Sequence, residues 1–119
     1  MAKRILFIED DPDIYDILQI VFADEGFEVI GFKTAPTLYE MILIHPDLIL
    51  LDVRIEGSMK NGLEICKEVK SSSEMSGLPV ILLSAERDLE FMAAASGAND
   101  YMSKPFGLDQ LMLKVNQFL

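Results

Sequence analysis

The chain has 119 residues, half of them hydrophobic, and a formal net charge of −10. That length suits one packed core, a single domain over residues 1–119, and the hydrophobic fraction excludes an intrinsically disordered chain. The acidity argues against direct nucleic-acid binding, which needs basic patches to neutralise phosphates, and suits cations or basic partner surfaces as ligands.

Ile5–Ile8 is a short, continuously apolar run, the pattern of a strand buried on both faces. It leads directly into Glu9, Asp10 and Asp11. Neighbouring carboxylates repel, and one at the edge of a core is costly to desolvate. Either these acids face water at a strand end, or a cation belongs between them. From Pro12 the period turns helical, with Ile14, Ile17, Leu18, Val21 and Phe22 on one stripe and Gly26 as a stop. Pro12 suits a first turn, where no backbone N–H is required.

Phe27–Phe32 predicts a second strand, and Thr34 and Pro36 are expected to open a second helix carrying Leu38, Met41 and Ile42. "HPDLILLD" (His45–Asp52) repeats the opening pattern: a turn, an apolar run, then an acid. A loop rich in Gly, Ser and Lys follows, then a helix with Leu63, Ile65, Cys66 and Val69. "LPVILLSA" (Leu78–Ala85) predicts a fourth buried strand, ending at the hydroxyl of Ser84. An alanine-rich helix near Leu89–Ser96 is closed by Gly97. "NDYMSKP" (Asn99–Pro105) predicts a fifth strand ending in Lys104, and the last helix places Leu108, Leu111, Met112, Val115 and Leu119 on one face.

A lone cysteine, Cys66, excludes an internal disulfide and a multi-cysteine metal site; its apolar-periodic surroundings mark an inert core thiol. No apolar run approaches the roughly 18 residues that span a bilayer. The start "MAKRILFIEDD" has too few apolar residues for a signal-peptide core, so a reducing cytoplasm is the expected compartment.

Alternating strands and helices imply parallel βαβ units, with the sheet covered on both faces. Ligands of such a sheet bind beyond the carboxyl ends of its strands. There the chain carries Glu9 and Asp10, Asp52, Ser84 and Lys104, whereas the second strand ends in Phe32 and Lys33 with no evident part. Singly, these read as a solvated acid pair, a capping aspartate, a strand-end hydroxyl and a surface lysine. Together they suit a hard divalent cation held by carboxylates, with an anion beside it satisfied by hydroxyl and ammonium. His45 precedes a proline on the opposite edge and is given no role.

The segments "ILFIEDDPDI", "PDLILLDV", "NGLEICKEVK", "PVILLSA" and "GANDYMSKPF" resemble the receiver (phosphoacceptor) domain of two-component response regulators over essentially the whole chain. The resemblance implies an α/β fold: a five-stranded parallel sheet flanked by five helices, doubly wound and flavodoxin-like, with strand order 2-1-3-4-5. It implies that Asp52 accepts a phosphoryl group, and that Glu9, Asp10, Asp52 and the backbone carbonyl of Arg54 hold Mg2+. Ser84 then meets the phosphoryl oxygens through its hydroxyl, Lys104 pairs with them, and Tyr101 is the aromatic that turns inward with Ser84. The implied function is a phosphorylation-controlled switch, charged by a sensor histidine kinase or histidine phosphotransfer protein. Its output is an altered face of the fourth helix, fifth strand and fifth helix, presented to a downstream effector, a missing output domain or a second copy of the chain.

The sequence departs from the family pattern in places. The loop after Asp52, "VRIEGSMKNG", is longer than usual and has Glu56 where a proline is usual; the stretch from Ser84 to Lys104 is shorter, consistent with a shortened fourth helix or a shortened entry loop to it. Arg54 and Glu86, each two residues beyond a site residue, are expected either to face each other across the site mouth and restrict water or to be solvated charges. Two other function classes stand beside the switch. A Mg2+-dependent aspartyl-phosphate hydrolase would want an acid two residues after the nucleophile, where this chain has Arg54. A phosphorylation-independent docking module would have no need of every site residue.

Overall fold

Each apolar run becomes a strand in the computed structural model, which describes residues 2–119. The elements alternate as β1 (Arg4–Ile8), α1 (Pro12–Asp24), β2 (Glu28–Phe32), α2 (Leu38–Ile44), β3 (Leu48–Asp52), α3 (Gly62–Ser71), β4 (Val80–Ser84), α4 (Leu89–Ser96), β5 (Asp100–Ser103) and α5 (Leu108–Phe118). The strands form one parallel sheet in the order β2-β1-β3-β4-β5. This is the α/β architecture expected from the sequence.

The two-residue period of the central strands divides their apolar side chains between two cores. Ile5 and Phe7 of β1, Leu48 and Leu50 of β3, and Ile81 and Leu83 of β4 pack with Leu18 and Phe22 of α1 and Leu111 and Val115 of α5. Leu6, Ile8, Ile49, Leu51, Val80 and Leu82 face the other way, against Met41 of α2, Ile65, Cys66 and Val69 of α3, and Leu89 and Ala93 of α4. A one-residue slip of β3 would exchange one apolar face for the other at little loss, but it would move Asp52 within the sheet. The polar residues at the strand ends therefore help to hold the register.

Capping fixes where the helices begin. Asp11 is the N-cap of α1, its carboxylate accepting from the N–H groups of Asp13 and Ile14, with Pro12 in the first turn. α2 starts later than Thr34 and Pro36 suggest. Thr37 caps it through a reciprocal capping box with Glu40, while the Ala35 N–H, ahead of Pro36, donates to Ser58 Oγ at 2.7 Å. A second capping box joins Asn61 and Glu64 at the start of α3. α4 spans eight residues and has no side-chain cap hydrogen bond. β5 ends at Ser103, so Lys104 lies just beyond it rather than within it.

Candidate functional site

β1 lies between β2 and β3, so the strand order reverses there and opens a crevice at the carboxyl ends of β1 and β3. Ile8 pairs with Leu51, which brings the residues that follow them, Glu9 and Asp52, side by side. On the next strands Asp52 pairs with Leu83 and Ser84 with Ser103. Lys104 therefore starts above Asp52, and its long side chain reaches back along the edge. The result is a cleft of about 460 Å³ lined by Glu9, Asp10, Asp52, Ser84 and Lys104, with Arg54 and Glu86 among the residues at its mouth.

Glu9 and Asp52 are buried, as is Ser84, whereas Asp10 is half-buried. The Lys104 ammonium donates to Glu9 Oε1 at 2.8 Å and to Asp52 Oδ2 at 3.0 Å. The second oxygen of Glu9 accepts from the Asp11 N–H at 3.2 Å. Asp10 Oδ2 accepts from the Glu56 N–H at 3.1 Å, and Ser84 Oγ accepts from the Glu86 N–H at 3.1 Å. Arg54 Nε pairs with Glu86 Oε1 at 2.5 Å, so the two charges do face each other across the mouth.

These contacts separate the acids electrically. Burial, followed by the adjoining Glu9, pushes the Asp52 carboxyl from its ordinary 3.8 up to about 7, with Lys104 opposing the rise. Partial burial also pushes Asp10 up, but the Glu56 N–H and hydrogen bonding with Asp52 and Glu9 outweigh it and leave Asp10 below the ordinary value. Burial pulls Lys104 down, yet Glu9 and then Asp52 reverse this and keep its ammonium charged.

One oxygen each from Glu9, Asp10 and Asp52 lie within 4.8 Å of one another. Three carboxylate oxygens gathered in this way would together bind a divalent cation such as Mg2+. An all-oxygen, anionic donor set suits that hard cation. The Arg54 carbonyl accepts no backbone hydrogen bond from the described residues, which leaves it able to contribute.

Tyr101 does not line the cleft. It lies half-buried on β5, paired in register with Leu82, against the core on the α4 side. His45 ends α2 in the left-handed conformation at the opposite edge, apart from the acids. Cys66 is buried, its thiol against the Ser96 carbonyl and pushed up by burial, as a core residue should be.

Two contributors were not legible as site residues. The Glu56 N–H reaches Asp10 from the long loop, and the sequence signal for it was the absence of proline at that position. Gly62 lies so close to β3 that a Cβ would stand 2.1 Å from the Asp52 carbonyl oxygen. Its only signal was a glycine opening a helix, which by itself does not specify a close approach to another strand.

Comparisons with known proteins agree with this geometry. A family profile described as the response regulator receiver domain matches residues 5–116. The DNA-binding response regulator MtrA of Mycolicibacterium smegmatis is 36% identical over 119 residues, covering 97% of this chain and 50% of that protein. The chain thus spans about half the length of the curated relatives it matches. Among solved structures, the receiver domain of NtrX from Brucella abortus superposes with a TM-score of 0.84 at 32% identity, covering 97% of each chain. A CheY-like response regulator receiver domain protein from Methanospirillum hungatei superposes at 0.87 with 26% identity, covering 98% of this chain and 93% of that one. The chain belongs to the response regulator receiver family.

Proposed function

We propose that this domain is a phosphorylation-controlled signalling switch with Asp52 as the phosphoacceptor. The observation that carries the reading is the placement of the Asp52 carboxylate: buried at the switch point, 3.0 Å from the Lys104 ammonium, with Glu9 and Asp10 beside it. In the transfer an Asp52 oxygen forms a bond to phosphorus while the bond from phosphorus to the donor histidine nitrogen breaks. The nitrogen keeps that electron pair, and the product is an acyl phosphate.

The step brings two anions together, so charge neutralisation and alignment supply most of its rate. Glu9, Asp10, Asp52 and the Arg54 carbonyl would hold Mg2+, which when bound offsets the charge of the incoming phosphoryl oxygens. Lys104 binds those oxygens as a point charge, and the Ser84 hydroxyl turns from the Glu86 N–H to donate to them. Withdrawal of Ser84 from its present contact leaves room for Tyr101. The α4 N-terminus, which lacks a side-chain cap hydrogen bond, is a weakly held element to move. The α4, β5 and α5 face is then the output surface, for an effector, an output domain or a second copy.

The donor would be a sensor histidine kinase or a histidine phosphotransfer protein, acting in the cytoplasm. Among the described residues no helix is long and apolar enough to cross a membrane. The net charge of −10 disfavours DNA contact by this domain itself, even where a relative such as MtrA is named as DNA-binding. The domain would catalyse only its own phosphorylation and dephosphorylation. A hydrolase acting on separate phosphoesters is disfavoured by Arg54, where a second acid would be needed.

Incubation with Mg2+ and acetyl phosphate, or with beryllofluoride, tests the proposal. Wild type should bind the mimic and Asp52→Asn should not. Identical behaviour of the two proteins would leave a phosphorylation-independent docking module as the better reading.

A further inference from the structure

Two loops meet over the mouth of the cleft. Arg54, beyond the end of β3, pairs with Glu86, beyond the end of β4. The Arg54 side chain is 82% exposed and that of Glu86 28%. With the guanidinium so open to water the pair is weak and easily exchanged. Glu86 also holds Ser84, through its backbone N–H to Oγ at 3.1 Å. One residue therefore has its side chain tied to the β3–α3 loop and its main chain tied to the hydroxyl at the end of β4.

A phosphoryl group on Asp52 would bring nearly two negative charges and three acceptor oxygens into this cleft. Its lining includes the cations Lys104 and Arg54, and Lys104 is already engaged by Glu9 and Asp52. A guanidinium presents paired donors that match phosphoryl oxygens, and a near-dianion attracts it more strongly than a single carboxylate does.

We propose that Arg54 is an exchange latch: it holds Glu86 while Asp52 is unmodified and passes to the phosphoryl group once Asp52 carries one, freeing the β4–α4 loop at Glu86. The inference rests on the phosphoacceptor reading of Asp52 and adds a regulatory contact to it. Glu86 and the phosphoryl group compete for one guanidinium. Removing the Glu86 charge therefore favours the modified state, and it does so only while Arg54 is present.

The test is titration of beryllofluoride, at saturating Mg2+, into wild type, Glu86→Gln, Arg54→Ala and the double variant. Affinity is read in each, and the Arg54 Nε–H and Glu86 amide signals are followed by NMR in wild type. Glu86→Gln should tighten binding by about two- to fivefold, the worth of an exposed ion pair. In the Arg54→Ala background the same change should have no effect, and in wild type both signals should move on binding. Equal tightening in both backgrounds would show that Glu86 acts by direct repulsion and would overturn the latch. An unmoved Arg54 signal, or unchanged affinity of Glu86→Gln, would also overturn it while leaving the phosphoacceptor reading intact. Wild type that fails to bind the mimic defeats that reading, and the latch with it.

Discussion

Lys104 Nζ stands 2.8 Å from Glu9 Oε1, across 95 residues of sequence, and from that position also reaches Asp52. An ammonium thus occupies the edge of a space bounded by buried carboxylates. It offsets their mutual repulsion.

Removing that ammonium should expose the repulsion. Lys104→Met, in chelator above neutral pH, is expected to lower unfolding stability by up to about 3 kcal/mol, the lower end for breaking a buried pair, because Lys104 keeps some exposure. Mg2+ should restore much of the loss. Urea unfolding with and without Mg2+ measures both effects, and a loss that Mg2+ leaves untouched would point to lost packing instead of unbalanced charge.

The raised Asp52 carboxyl has its own pH signature. Its folded value of about 7 exceeds the ordinary 3.8 expected of the unfolded chain, so between these values the folded state binds the proton more tightly. The stability this contributes is complete below 3.8 and is lost as pH rises through about 7. Metal-free wild type should therefore lose stability over that window, and Asp52→Asn should lose less. Mg2+ favours the ionised form and should flatten the slope. A pH series of unfolding midpoints is the measurement.

The Glu56 N–H supports Asp10 through the main chain, so its test is a residue without that N–H. Glu56→Pro should let the Asp10 carboxyl rise from its lowered value and should weaken Mg2+ binding, whereas Glu56→Ala should change neither. Carboxyl NMR titration of the two variants distinguishes main-chain from side-chain support.

Gly62 tests how tightly α3 seats against β3. Its missing Cβ would meet backbone, the Asp52 carbonyl oxygen at 2.1 Å, so Gly62→Ala must shift the strand or the helix. A loss of about 1–3 kcal/mol is expected, with weaker binding of the phosphoryl mimic. Gly77→Ala, where a Cβ meets nothing within 4 Å, should be close to neutral and serves as the control.

If Arg54 and Glu86 also keep water from the cleft after the exchange, alanine at both positions should shorten the lifetime of phosphorylated Asp52. Decay of the labelled acyl phosphate reads this directly, and an unchanged lifetime would show that the two side chains leave water access alone.

The sequence alone determined the alternation of strands and helices, because continuous apolar runs and helical stripes are local patterns that burial rewards directly. It also determined which chemical groups stand at the strand ends, since parallel strands must present their carboxyl ends to one edge. Asp11 follows a local rule as well: a short acid directly before Pro12 and the first helical stripe is favoured as a helix N-cap, which sets it apart from Glu9 and Asp10. The α2 start is also local: Thr37 followed by Glu40 is a capping-box pattern, and it prevails over Thr34 and Pro36. What the tertiary structure decided lies in distances between segments far apart in the chain. The bridge from Lys104 to Glu9 and Asp52, the Glu56 N–H on Asp10, the Arg54–Glu86 pair and the close approach of Gly62 all depend on sheet register and loop path. The raised Asp52 carboxyl follows from the same contacts, because desolvation and neighbouring charge act through space and not along the chain.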